Sequence, residues 1–244
     1  MLYNTAGPMK KTITAALCAS FLILTSCKDK PEPPKVIYDT KPKTSVKPAS
    51  LETITVADLP LQIEGTGYLI HPLSDLNIGG RKGPYSGSDN SSGYQISNYR
   101  EFELTGYLRN IKFQKTDSDS LSVLTDKLVL IQTVTYLKAF ADKSKQQLLV
   151  YTLTDMDTNK DGNVNSDDIK TLYISHINGE GFTKLSPDYE ELIDWNVIDG
   201  LSRLYFRTSI DSNKNGEFDK NDEIHYHYVD LSMGGWEVKE YKPI

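Results

Sequence analysis

Two stretches of this chain are copies of one another. TDMDTNKDGNVNSDD occupies residues 154–168, and SIDSNKNGEFDKND occupies residues 209–222. With Asp157 placed on Asp211 the copies lie 54 positions apart, and the likeness continues on both sides. Upstream, Leu149-Val150-Tyr151 falls near Arg203-Leu204-Tyr205; downstream, Leu172-Tyr173-Ile174 corresponds to residues 226–229 after a small shift. Each copy then reaches a glycine turn, at 178–181 or 232–235, and ends in a short apolar run, FTKLSP or WEVKEY. A repeated unit of about four strands cannot bury its apolar face alone, so it must stack on a neighbour. That requirement restricts the fold more than any other feature of the chain.

The rest of the sequence agrees with a β architecture. Short runs rich in Tyr, Val, Ile, Phe and Thr alternate with Gly/Asn/Asp/Ser clusters, the pattern of strands and turns. Strands are predicted over 67–72, 110–114, 128–139, 147–154, 170–176, 182–185, 192–197, 201–208, 224–231 and 236–241. Fifteen tyrosines suit half-buried sheet faces, with the ring covered and the hydroxyl wet. The glycine- and serine-rich segment 79–98 reads as a long loop. A weaker third copy is traceable in NIKFQKTDSDSLSVLTD, 110–126, without its acidic loop.

The expected fold is therefore all-β, a propeller-like repeat of four-stranded units with three or four blades; a β-sandwich is the alternative. The stretch LYISHINGEGFTKLSP, 172–187, resembles the blade ending of Tol-type periplasmic β-propellers. That resemblance implies a fold and no activity. So few blades sit at the low limit for a closed ring, and a ring of that size closes more readily through a second copy of the chain, which makes a homo-oligomer an expectation to carry forward.

The acidic segments have the chemistry of metal loops. DTNKDGNVNSDD and DSNKNGEFDKND both fit D-x-[DN]-x-[DN]-G. Calcium takes six to eight oxygens, so carboxylates and amide carbonyls must converge from a short stretch of chain. Alternate residues converge only if the backbone turns sharply, and Gly162 and Gly216 sit where that turn is needed. The predicted ligands of the first loop are Asp157, Asn159, Asp161 and Asp168, with the Asn163 carbonyl and Asn165 through water. Those of the second are Asp211, Asn213, Asn215 and Asp222, with the Glu217 carbonyl and Asp219. Val164 and Phe218 hold the apolar position that pins each loop to a core. Two calcium ions are expected. Both loops end in Asp, where EF-hands usually have Glu, and in this they resemble dockerin loops. Dockerins set their loops much closer together and follow each with a helix. Here strands follow, so each loop is read as the tip of a β-hairpin and no cohesin partner is expected.

The front of the chain reads as export and attachment. Lys10 and Lys11 precede the apolar run 13–24, which is shorter than the ~20 residues of a spanning helix. Leu24-Thr25-Ser26-Cys27 resembles the lipobox of bacterial lipoproteins. The resemblance implies cleavage before Cys27, its lipidation, and attachment to the membrane through that residue. Met9 reads as a better start than Met1, because it opens a conventional signal. Lys28 follows the cysteine where inner-membrane retention would want Asp, which implies the outer membrane. The expected layout is a signal over 1–26, a Pro/Lys-rich tether over 27–52 and a β-rich domain over 53–244. With Cys18 removed in the signal, Cys27 has no partner for a disulfide, so an exported domain needs either a sufficient core or another staple such as a metal.

Charge and motifs narrow the function. The net charge is -6, and loss of Lys10 and Lys11 takes it to -8, which repels phosphates and argues against nucleic acid. H-E-x-x-H, G-x-S-x-G and the P-loop are all missing from the sequence, and NIGGRKG at 77–83 does not join a strand to a helix. His225 and His227 share a strand face at a spacing open to a transition metal, although such a pair ordinarily lines a half-exposed sheet. Glu190, Glu191 and Asp194 raise paired-carboxylate glycoside chemistry, against the plainer reading of a solvated strand edge. Trp195 and Trp236 are candidates for stacking on sugars. The leading expectation is a calcium-binding envelope lipoprotein that binds a protein or glycan without catalysis. The alternatives are a hydrolase of glycans or phosphate esters, and a purely structural envelope protein. Replacing Cys27 by Ser should move the protein from the membrane fraction to the soluble fraction of lysed cells; unchanged membrane retention would remove the lipid anchor.

Overall fold

The segment LLVYTLT has no alternation of apolar and polar residues, and a strand of that kind can only lie between two layers. In the computed structural model, which describes residues 33–38, 53–77, 94–97 and 102–244, this segment is buried at all but one position. The strands in chain order are β1 (Thr53–Ala57), β2 (Leu61–Gln62), β3 (Tyr68–Asn77), β4 (Tyr94–Ser97), β5 (Phe102–Lys115), β6 (Leu121–Val123) and β7 (Leu130–Tyr136). A short helix, α1 (Lys138–Ser144), leads to β8 (Leu148–Thr154), β9 (Thr171–His176), β10 (Thr183–Lys184), β11 (Glu190–Ile198), β12 (Arg203–Ile210), β13 (Glu223–Asp230) and β14 (Val238–Glu240). The signal, Cys27, most of the tether and most of the 79–98 loop lie outside the described residues; β4 falls within that loop.

All pairings between these strands are antiparallel. One sheet has ten strands along the path β1-β3-β5-β7-β8-β9-β10, with β2, β4 and β6 added at its sides. The other has four, β11-β12-β13-β14. The fold is thus all-β in character. The 54-residue repeat is visible as two four-stranded meanders, β7–β10 and β11–β14. They do not form a set of three or four separate blades, because β7 is hydrogen-bonded to β5 and the first meander continues into the larger sheet. Strand pairing satisfies an edge that a free blade would leave open.

Strand β5 explains how the larger sheet encloses a core. Its first half pairs with β4 and β7, its second half with β3 and β6, and the register slips between Thr105 and Leu108. Such an irregularity bends a strand and increases its twist. Ile70, Ile111 and Phe113 from one side of the bend share a core with Ile131, Val134, Leu149 and Tyr151 from the other. Since every one of these residues belongs to the same sheet, the sheet must curl over its own face.

The second core joins the two sheets. Leu148 and Val150 of β8, with Leu172 and Ile174 of β9, meet Leu192, Leu204, Phe206 and Val229 of the four-stranded sheet. Leu149, Tyr151 and Leu153 belong instead to the first core. The period of two along β8 therefore sends alternate residues into different cores. Strand β12, covered on one face only, shows the complementary pattern, with Leu204, Phe206 and Thr208 buried and Tyr205 and Arg207 half-buried.

The predicted strand over 128–139 divides into β7 and α1. Lys138-Ala139-Phe140-Ala141 is a run of good helix formers apart from Phe. Phe140 and Ala141 bury one side of the helix, and Lys145 ends it with φ 66°. Strands β1, β2, β4, β6 and the first half of β5 go beyond the sequence expectation.

Candidate functional site

The two acidic loops connect β8 to β9 and β12 to β13, each at the open end of an antiparallel hairpin. Their internal hydrogen bonds match position by position. Asp157 accepts from the amides of Asp161 (3.1 Å) and Gly162 (2.8 Å); Asp211 accepts from those of Asn215 (3.1 Å) and Gly216 (2.7 Å). Asn159 and Asn213 each accept from the amide two residues on, at 2.9 and 2.8 Å. Asp161 and Asn215 do the same with Asn163 and Glu217. Asp168 closes the first loop, accepting from the amides of Thr158 (2.7 Å), Asn159 (3.1 Å) and Asn165 (3.0 Å). Asp222 closes the second from Ser212 (3.1 Å) and Asp219 (2.7 Å).

The backbone follows the same rule twice. Lys160 and Gly162 have φ of 55° and 92°; Lys214 and Gly216 have 56° and 86°. Left-handed conformations at these two positions turn the alternate side chains inward, and glycine adopts them without steric cost. All six predicted positions of each loop therefore lie within one compact turn. Asn163 and Glu217, predicted to act through carbonyls, present their side chains outward to solvent. Asn165 donates its amide to Asp161 at 3.2 Å. Val164 is buried as expected, while Phe218 is only half-buried. The Val164 carbonyl accepts from Arg109 at 3.0 Å, and Arg109 pairs with Asp75 at 2.6 Å, which fastens the first loop to β3 and β5. The predicted side-chain ligands are all oxygen donors, a set that suits a hard cation. Asp168 and Asp211 are 0% and 3% exposed, so their charge is withdrawn from water.

A segment expected in the tether runs across both loops. The Val36 amide donates to the Gly216 carbonyl (3.0 Å) and the Ile37 amide to the Thr158 carbonyl (2.8 Å). Lys35 donates to the Asp167 carbonyl (3.3 Å), forms a bridge with Glu217, and accepts from the Thr158 hydroxyl (3.0 Å). Val36 is buried. Residues 33–38 thus act as a strap between loops that are 54 positions apart in sequence. Burial, together with the charge and hydrogen bonding of Asp211, pushes the Tyr38 hydroxyl up to about 12.

A second cluster lies on the inner face of the four-stranded sheet. Tyr189, with φ 62°, precedes β11 in a conformation disfavoured for a bulky side chain. Glu190, Glu191 and Leu192 then follow as three successive buried residues. Glu190 approaches His225 Nδ1 at 3.0 Å and His227 Nε2 at 3.8 Å, and accepts from the Thr208 hydroxyl. Thr208 also meets His227 Nε2 at 3.1 Å. Burial opposes ionisation of Glu190, but hydrogen bonds from His227 and Thr208 and the charge of His225 prevail and hold its carboxyl below the usual value.

Glu191 turns away to Lys170, receiving its amide at 2.6 Å and its ammonium at 3.1 Å. Burial outweighs that pairing and pushes the Glu191 carboxyl up. Asp194, beyond a register slip in β11, is held by both Arg207 nitrogens on the opposite face. The three acids considered together in the sequence therefore serve three different partners. In the sequence the two histidines and Glu190 stand as separate features. Their meeting was hidden because it joins strands 35 residues apart.

The outer face of the same sheet carries an aromatic group. Tyr205 lies 5.7 Å from Tyr228 and 5.5 Å from Tyr241, and Tyr226 lies 5.9 Å from Tyr241. Arg203 stands 4.5 Å above the Tyr228 ring. Beside them is a 240 Å3 cleft lined by Asp194, Trp195, Asn196, Tyr205, Arg207 and Tyr241. Trp195 and Trp236 are both half-buried and pack against the second core, Trp236 lying 5.1 Å from His176.

Compared with known protein families, curated proteins and solved structures, the chain matches none.

The strap gives the two loop glycines different sensitivities. A Cβ at Gly216 would stand 2.5 Å from the Val36 carbonyl oxygen, whereas one at Gly162 would meet nothing within 4 Å. Gly162→Ala should cost about 1 kcal/mol from the backbone conformation alone. Gly216→Ala should cost about 2–3 kcal/mol and expose residues 33–38 to limited proteolysis. Equal thermal shifts and equal proteolysis of the two variants would show that the strap does not bear on the second loop.

Proposed function

We propose that this chain is a calcium-binding lipoprotein of a bacterial envelope, anchored through Cys27 to the outer membrane, and that its β domain binds a ligand without catalysis. The observation that carries the calcium reading is the position-by-position match of the two loops. Each sets three acidic or amide side chains, a closing aspartate and a left-handed glycine in the same relation, at hairpin tips where simple turns would need far fewer acids. Asp157, Asn159, Asp161 and Asp168 would hold one ion, and Asp211, Asn213, Asn215 and Asp222 the other. Carbonyls of Asn163 and Glu217, with Asn165 and Asp219, would complete the shells. Bound cations would offset carboxylates that otherwise crowd and repel, and through the strap each ion would steady the other loop.

The described strands favour stacked sheets over propeller blades, with β8 and β9 as the shared layer. For the ligand, the tyrosine group on the outer face of β11–β14 favours a glycan over a protein. Flat aromatic faces offer a platform for sugar rings, and Arg207, Asp194 and Asn196 offer hydrogen bonds at its edge. The glycoside-hydrolase alternative needs two cooperating carboxylates, and Glu190, Glu191 and Asp194 are each committed elsewhere.

Calorimetric unfolding tests the first part. If free calcium stands about a hundredfold above Kd, each site adds about 2.7 kcal/mol, so two should raise the melting temperature by about 10–20 °C. Calcium added after chelation should restore the shift and magnesium should not; an unchanged melting temperature would end the calcium reading. A glycan array tests the second. Tyr228→Ala should abolish any glycan signal while leaving the calcium shift intact, and a signal indifferent to Tyr228 would place the ligand elsewhere.

A further inference from the structure

Glu190, His225 and His227 bring three metal-binding atoms together on one buried sheet face. All three atoms lie within 4.8 Å of one another. A tetrahedral zinc ion with ligand bonds of about 2.0–2.1 Å sets its ligand atoms roughly 3.3 Å apart. Glu190 reaches His225 Nδ1 at 3.0 Å through one carboxylate oxygen and His227 Nε2 at 3.8 Å through the other, so its head group stands at about that spacing from both imidazoles. Small side-chain rotations would therefore form the first coordination shell without moving a strand.

The surroundings also suit an ion. Glu190 is 6% exposed and His227 5% exposed, yet among the described residues the polar partners of this carboxylate are Thr208 and two imidazoles, and neither a lysine nor an arginine. Here the imidazoles donate hydrogen bonds to the carboxylate; a metal ion would displace those protons and take up the lone pairs they leave. The Thr208 hydroxyl, bonded to Glu190, would orient the carboxylate from behind, as outer-shell groups do. Strand β14 pairs with β13 only as far as His227 opposite Glu240, which leaves the His225 position uncovered. There a 390 Å3 cleft opens, lined by His225, Glu223, Tyr226, Tyr241 and Lys242. His225, the one of the three residues that lines it, is thereby open to an ion and to water from solvent.

We propose that Glu190, His225 and His227 form a site for one transition-metal ion of the zinc class, distinct from the oxygen-rich loops. Two imidazole nitrogens and one carboxylate oxygen are the donor set of borderline ions, whereas calcium prefers oxygen alone. The site does not depend on the loops binding calcium.

The test is isothermal titration of the purified protein with zinc alone, in buffer saturated with calcium so that the loops do not compete. One equivalent of zinc should bind, and cobalt(II) in its place should give the strong visible bands of a four-coordinate site. His225→Ala alters a half-exposed residue and should weaken zinc binding on the order of a hundredfold or more; Glu190→Gln should do the same, and His176→Ala should change nothing. Histidine acylation of the unmutated protein, read by mass spectrometry, gives an independent measurement. Zinc should protect His225 while His71 and His176 react as before. Absence of zinc binding below millimolar concentration, binding that survives His225→Ala, or equal acylation of all four histidines with and without zinc would overturn the proposal.

Discussion

Burial of β8 and β9 on both faces is the constraint on which the rest of the structure depends. One face closes the core of the curled ten-stranded sheet, and the other receives the four-stranded sheet. Neither core could be complete without these strands, because Leu148 and Val150 serve one and Leu149, Tyr151 and Leu153 the other. With about 25 cal/mol gained per Å2 of apolar surface withdrawn from water, a doubly covered strand contributes roughly twice as much as one with a wet face. The domain thereby gains cohesion without a disulfide.

The same stacking places the chemistry. Two hairpins that pack face to face carry their loops to neighbouring positions, close enough for the three residues Lys35, Val36 and Ile37 to bond to both. The strap turns two local turns into one assembly in which the Gly216 carbonyl and the Thr158 carbonyl answer to successive amides. On the four-stranded sheet the two faces divide the remaining work. Inward, between the core and the loop end, Glu190 meets two histidines; outward, four tyrosines and two arginines gather. Alternation along β12 and β13 separates these groups, since Thr208 and His227 face one way and Tyr205 and Tyr228 the other.

Much of this was legible beforehand where the signal was local. The hairpin loops were legible because their acidic and amide residues lie within twelve successive positions and each loop carries its own glycine. The register of the repeat was legible because both copies keep the same order of strand, loop, strand and turn. The run 128–139 was misjudged at its end: its last residues are apolar enough for a strand, but Lys138 to Ala141 are better helix formers and had the space to turn. Four-stranded units taken singly predict separate blades. Only the pairing of β7 with β5 reveals that the first unit continues into a larger sheet.

The sequence by itself determined the β character of the chain, the repeat and the oxygen-rich turns, because these follow from periodicity and from residues close together along the backbone. Tertiary structure alone decided which sheet each repeat joined, that residues 33–38 lie across both loops, and that Glu190 finds His225 and His227. These are contacts between strands far apart in the chain, and no local preference encodes them. They are fixed by the way two apolar faces of the same strands must both be covered.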